Sequence, residues 1–135
     1  MDRSGLIWTD GASRGNPGKS GAGGLIRNSM GNIVYELSEY LGIQTNNYAE
    51  YKALELTLAK ALELGIRKVE VFLDSKLVVE QLNDNWIVKN DSLKLLHSSI
   101  KQLMSQFESI KISHVYRVHN QKADELANKA IDSLK

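Results

Sequence analysis

The sequence predicts an α/β domain: a mixed sheet with helices packed against it. Three observations predict it. Three apolar runs fall within the first 37 residues, separated by glycine- and asparagine-rich stretches, which reads as an antiparallel meander. A long segment rich in Ala, Leu, Glu and Lys follows and closes at Gly65, the strongest helix signal in the chain. Beyond it, short apolar runs alternate with helical periodicity, so strands and helical segments follow the order βββαβαβα.

Taken in order, residues 5–11 read as a strand, followed by a Gly/Asn/Pro loop and a second strand near 21–28. Met30-Gly31-Asn32 supplies turn chemistry, and Ile33-Val34-Tyr35-Glu36-Leu37 begins a third strand. The helix over 46–64 has Thr45, Asn46 and Asn47 as N-cap candidates. Val69-Glu70-Val71-Phe72-Leu73 reads as a buried strand, and a short helix over 75–83 ends at Asn83-Asp84-Asn85. Leu93, Leu96, Ile100, Leu103 and Phe107 mark a helix of about 91–106. Residues 109–118 read as the last strand and 121–134 as a terminal helix.

The 135 residues, 42% apolar and 24% charged, suit one domain spanning 1–135. With no cysteine, a disulfide framework and a thiolate zinc site are both excluded, which fits a reducing, cytoplasmic setting. No apolar run approaches the ~20 residues of a membrane span, and no signal peptide is expected. A formal net charge of +1 does not announce a nucleic-acid partner, which would need a local basic surface.

Gly18-Lys19-Ser20 has the look of a nucleotide phosphate loop, but the register excludes it. Ser13 stands where that pattern needs a glycine, and Gly21-Ala22-Gly23-Gly24-Leu25-Ile26 reads as a strand rather than the required helix. Asp10 therefore needs another explanation.

Four acids lie in places that disfavour charge. At about 100° per residue, Glu50 shares the apolar face of its helix with Leu54, Thr57, Leu58 and Ala61, whereas Glu55 and Glu63 point away. In the last helix Ala123, Leu126, Ala127, Ala130, Ile131 and Leu134 share one face, with Asp124 at its border and Glu125 and Asp132 on the far side. Asp10 ends or interrupts an apolar strand, and Asp74 directly follows Val-Phe-Leu. Each has an ordinary reading: a helix dipole for Glu50, a turn or cap for a strand-end aspartate. Together on one end of a sheet they would repel unless cations neutralised them. An all-oxygen site suits hard ions such as Mg²⁺ or Mn²⁺, and a pair of such ions can clamp the attacking and leaving oxygens of a phosphodiester.

These residues resemble the type 1 ribonuclease H family. The resemblance runs from about Gly5 to Ala130 and rests on Thr9-Asp10-Gly11 with Gly15-Asn16-Pro17-Gly18, Thr45-Asn46-Asn47-Tyr48-Ala49-Glu50, Asp74-Ser75 and Ala123-Asp124-Glu125-Leu126-Ala127. It implies a mixed five-stranded sheet, three antiparallel strands then parallel strands, with helices on both faces. It also implies a catalytic, metal-binding quartet of Asp10, Glu50, Asp74 and Asp124 that uses two Mg²⁺ ions, with Mn²⁺ as substitute. The implied reaction is cleavage of the RNA strand of an RNA–DNA hybrid, leaving 5′-phosphate and 3′-hydroxyl ends. Asn16, Asn46, Asn47, Gly11 and Ser13 would contact the hybrid from its minor-groove side, and Thr45 would hold a DNA-strand phosphate. Capping is the ordinary alternative for Asn46 and Asn47.

The sequence departs from the family pattern twice. Asn85 to Asn90 is too short for the basic helix and handle of many members, which points to the handle-less branch; Lys89, Lys94 and Lys101 would substitute for it or merely decorate the surface. His119 lies only five residues before Asp124, either as a proton-transfer residue or as a loop residue in a shortened segment, and the shortening favours the second reading. His97 and His114 read as packing or surface residues. Two other functions compete: a hybrid- or duplex-binding module that does not cut, and a resolvase- or integrase-like nuclease of the same superfold. The full acidic quartet argues against the first, and Asn16 with Thr45-Asn46-Asn47 against the second. A monomer without membrane attachment is expected.

Overall fold

The run of glycines near the N-terminus has a packing explanation. In a computed structural model describing residues 3–133, β1 (Ser4–Gly15) and β2 (Gly18–Asn28) form one long hairpin, so the Gly/Asn/Pro loop shrinks to Asn16-Pro17. β3 (Ile33–Gln44) adds to β2 antiparallel, while β4 (Lys68–Leu73) and β5 (Ser109–His114) add in parallel on the other side of β1. The order β3-β2-β1-β4-β5 is the mixed five-stranded sheet expected from the sequence.

Helices cover both faces. On one, α1 (Asn46–Glu63) packs Tyr51, Leu54 and Leu58 against Ile7 and Ile26, and α3 (Asp91–Met104) adds Leu93 and Ile100 to the same core. On the other, α4 (Gln121–Asp132) lies directly on β2. A Cβ at Gly21 would stand 2.2 Å from the Ala127 carbonyl oxygen, and one at Gly23 2.1 Å from that of Ala123. Gly24 points the opposite way, where a Cβ would meet the Thr57 hydroxyl at 2.1 Å. β2 is glycine-rich because backbone and side chains press on it from both sides.

Local chemistry fixes the helix starts. Thr45 caps α1 by accepting the Tyr48 N–H at 3.2 Å, Ser75 caps α2 (Lys76–Leu82), and Asn90 caps α3 through the N–H groups of Ser92 and Leu93. Gly65, at φ +84, follows the last turn of α1. His97 packs edge-on against Tyr51, and His114 against Tyr116.

The end of β5 also differs from the sequence reading. β5 stops at His114 rather than residue 118, because β4 ends at Leu73: the Val115 N–H bonds to the Leu73 carbonyl, and no partner continues beyond it. The chain turns instead into a 3₁₀ turn over Arg117–His119 that leads into α4. Leu134, assigned to the apolar face of α4 from sequence, lies outside the described residues. Among the described residues no helix is long and apolar enough to cross a membrane.

β1 and β4 pair only from Ser4 to Trp8 against Lys68 to Phe72. Past Trp8 the longer strand runs on beside β2 alone. The sheet therefore splits at the carboxyl ends of β1 and β4, a place where α/β sheets commonly hold ligands.

Candidate active site

Asp10 sits just past the split and Asp74 just beyond the end of β4. Glu50 comes down from the second turn of α1, and one oxygen from each of the three acids lies within 4.8 Å of the others. Gly11 makes this approach possible. A Cβ there would stand 2.3 Å from the Ala49 carbonyl carbon, so only glycine lets α1 rest against β1, where the Gly11 N–H donates to Glu50 Oε1 at 2.8 Å. Asp124, in the first turn of α4, lines the same cleft of about 430 Å³.

Asp10 is 6% exposed and Glu50 8%. Burial first, then the charge of Glu50, pushes the Asp10 carboxyl far above the usual carboxylate range. Burial raises Glu50 as well, while the hydrogen bond from Asp10, the Gly11 N–H and the charge of Arg117 pull it back. Burial and mutual repulsion thus oppose ionisation of both acids at once when no cation is bound. Glu50 Oε2 is buried and has no hydrogen-bond partner. An orphaned carboxylate oxygen, beside two more carboxylates and in an all-oxygen set, fits a hard divalent cation.

Other expected residues fall into two groups. Gly11, Ser13, Asn46 and Asn47 line the acidic cleft. Asn16 and Thr45 are not among its lining residues and brace it instead: Asn16 Oδ1 accepts the Asn46 N–H at 3.0 Å, and the Thr45 hydroxyl caps α1. Because Thr45 does the capping, the Asn46 and Asn47 side chains are not needed for it. The Ser13 hydroxyl donates to the Gln44 carbonyl at 3.0 Å, tying the hairpin to the end of β3. Lys101 is engaged with Asp84 at 2.8 Å and Lys94 with Asp91 at 3.4 Å, whereas Lys89 lines a groove shared with Asn47, Trp86 and Ile87.

His119 is not among the residues lining the acidic cleft; it lines a separate pocket of about 220 Å³ with Trp8, Arg27 and Lys122. The cation in the cleft is Arg117, which sequence reasoning passed over because it fell inside an expected strand. Two further residues were missed. Asn128 donates to Asp124 Oδ1 at 3.2 Å, one helical turn on, a spacing that sequence alone does reveal. Asn120 donates to Asp74 Oδ2 at 3.2 Å, a contact no local pattern encodes.

This geometry can be compared with known proteins. A family model described as reverse transcriptase-like matches residues 8–130. The ribonuclease HI of Halobacterium salinarum is 39% identical over 133 residues, covering 97% of this chain and 67% of that protein. The chain belongs to the ribonuclease H family. A bifunctional protein of Mycobacterium tuberculosis is 41% identical over 129 residues, 95% of this chain, and the chain spans only 35% of its length. The solved N-terminal ribonuclease H domain of that protein superposes with a TM-score of 0.93, covering 96% of this chain and 99% of the domain. LC11-RNase H1, isolated from compost and solved in complex with RNA/DNA hybrid, superposes at 0.89 with 39% identity, covering 95% of this chain and 96% of that one. The sheet order and helix placement described above are thus those of ribonuclease H structures.

Proposed function

We propose that the protein cleaves the RNA strand of RNA–DNA hybrids by metal-assisted phosphodiester hydrolysis, leaving 5′-phosphate and 3′-hydroxyl ends. The observation that carries this reading is the convergence of Asp10, Glu50 and Asp74 within 4.8 Å, with Asp124 on the same cleft, in a ribonuclease H fold. These four acids would hold two Mg²⁺ ions, with Mn²⁺ as substitute. Bound there, the ions supply Lewis-acid activation of water and stabilisation of the departing 3′ oxygen.

The remaining roles follow from the chain's own groups. Asn46 and Asn47 project from the first turn of α1 over the cleft, placed to meet 2′-hydroxyls and base edges in a minor groove. Gly11 and Ser13 offer backbone along the cleft floor, and Asn16 positions Asn46 from below. The Thr45 hydroxyl accepts the cap hydrogen bond and keeps its proton to donate to a phosphate. The link between α2, ending at Leu82, and α3, starting at Asp91, supports the handle-less type 1 reading. Hybrid affinity is then expected to be modest and to fall steeply with salt.

Arg117 takes the charge-stabilising role on the phosphate. A guanidinium stays charged through the working pH range and offers several donors, so it clamps charge rather than shuttling protons. Arg117→Ala is expected to lower kcat by ~10²-fold, on the scale of losing one preorganised donor. His119→Ala should stay within about threefold of wild type between pH 6 and 9, because nothing then routes a proton through it. Steady-state cleavage across that range tests both, and the reverse ranking would overturn the assignment.

The function itself is tested with matched RNA–DNA hybrid, double-stranded RNA and double-stranded DNA oligonucleotides, with Mg²⁺ or with EDTA. Cleavage confined to the RNA of the hybrid and abolished by EDTA is the expected result. Hybrid binding without any cleavage would leave a binding module.

A further inference from the structure

We propose that Asn120 is a positioning residue for the acidic site, holding the Asp74 carboxylate against β1 so that the three clustered acids stay within reach of common cations. The proposal rests on the metal-ion reading above.

Asn120 is 1% exposed, in the turn between the Arg117–His119 segment and α4. A buried amide is costly unless its groups are used, and this one uses its donors in an unusual way. Its Nδ2 donates to the Thr9 carbonyl on β1 at 2.9 Å and to Asp74 Oδ2 beyond β4 at 3.2 Å. The two acceptors lie on either side of the split, past the last paired residues Trp8 and Phe72. Asn120 therefore supplies the cross-link that the sheet ceases to supply there. It joins Thr9, the neighbour of Asp10, to Asp74 itself, which would otherwise move apart with their strands.

Its backbone ties in two further charged residues of the cleft. The Asn120 carbonyl accepts the Asp124 N–H at 3.1 Å, and its N–H donates to the Arg117 carbonyl at 2.9 Å. Simple helix capping does not account for the side chain. Asn120 precedes α4, yet it makes no side-chain cap bond, and its Oδ1 is buried with no partner. An amide turned toward the first N–H groups of α4 would have satisfied that oxygen. Instead the acceptor is left over and the NH₂ spans β1 and Asp74. Partners of this kind set the orientation of metal-ligating carboxylates and typically govern 10- to 100-fold of metal affinity or activity.

The test uses Asn120→Leu, similar in volume and apolar, and Asn120→Ala. Mg²⁺ binding to the substrate-free proteins is measured by isothermal titration calorimetry, beside circular dichroism melts and the Mg²⁺ dependence of hybrid cleavage. Both variants are expected to fold, to bind Mg²⁺ 10- to 100-fold more weakly, and to keep the wild-type hybrid KM once Mg²⁺ saturates. The loss should not follow thermal stability, since Leu suits a buried site better than Ala does. A folded variant with wild-type Mg²⁺ affinity would overturn the proposal. So would failure of both to fold, because Asn120 would then be needed for the structure and not for the site. A wild-type protein that binds no Mg²⁺ would overturn the metal-ion reading itself, a result distinct from either of these.

Discussion

Asp10→Asn is expected to abolish hybrid cleavage, by at least ~10³-fold, the upper scale for loss of a single preorganised electrostatic contact. It is also expected to raise the melting temperature of the protein in EDTA. Both effects have one origin. Asp10 lies among Glu50, Asp74 and Asp124, so its carboxylate is the group the cluster most needs for cation binding and least tolerates without one. Its proton affinity in the fold is far above that of an unfolded aspartate, chiefly from burial and then from the charge of Glu50. The sign follows. An acid whose folded pKa is raised contributes stability that is fully present below the unfolded pKa, near 4, and is lost as pH climbs toward the folded value. The wild-type protein in EDTA should therefore melt progressively lower from about pH 5 to pH 9. The Asn variant should show a flatter profile and melt higher at the alkaline end. A tenfold change in proton affinity is worth about 1.4 kcal/mol, and each kcal/mol moves the melting temperature of a domain this size by about 4 °C. A gain of at least ~5 °C at pH 8 is expected. Thermal melts in EDTA across the pH range, with single-turnover cleavage in Mg²⁺, make the check. A variant that melts below wild type at pH 8 would contradict the electrostatic account, and one that cuts would contradict the role of Asp10.

Much of this site is legible in the sequence, for a physical reason. A carboxylate on an apolar helix face or after a buried strand violates the pattern around it, and Glu50, Asp124 and Asp74 each announce themselves in that way. The meander and its crossover helices are equally visible, because local periodicity encodes them. What the sequence hides depends on contacts between distant segments. Arg117 reads as a strand residue because nothing local says that β4 ends at Leu73 and leaves β5 without a partner. Asn120 sits in a polar stretch before a helix, where asparagine reads as a cap, and its bonds to Thr9 and Asp74 span the whole fold. The glycines of β2 read as a strand from sequence, but nothing local says why glycine is needed there until α4 and Thr57 are seen pressing on its opposite faces.

Gly11 is the sharpest case of such a hidden constraint, and Gly11→Ala should be among the most damaging substitutions in the chain. The added methyl would lie 2.3 Å from the Ala49 carbonyl carbon, 2.4 Å from the Glu50 nitrogen and 2.6 Å from the Ala49 oxygen. All three are backbone atoms of α1, so no side-chain rotation relieves the clash. Either α1 withdraws or β1 bends. Withdrawal would uncover part of the core formed by Tyr51, Leu54 and Leu58 against Ile7 and Ile26. It would also break the Gly11 N–H bond to Glu50 Oε1 and move Glu50 away from Asp10 and Asp74. Overpacking a close-packed site costs about 1–3 kcal/mol and at times more; with rigid backbone on the receiving side the upper end applies. A loss of ~10 °C or more in melting temperature is expected. Turnover should fall further than stability explains, because the same shift that relieves the methyl displaces a metal-binding acid. Gly21→Ala provides the comparison: its Cβ would meet the Ala127 carbonyl oxygen at 2.2 Å, on α4 and away from Glu50. Both variants should melt low, but at temperatures where each is fully folded Gly11→Ala should show the greater loss of kcat. If Gly11→Ala melts within 2 °C of wild type, or cuts as well as Gly21→Ala when folded, close contact between β1 and α1 does not set the position of Glu50.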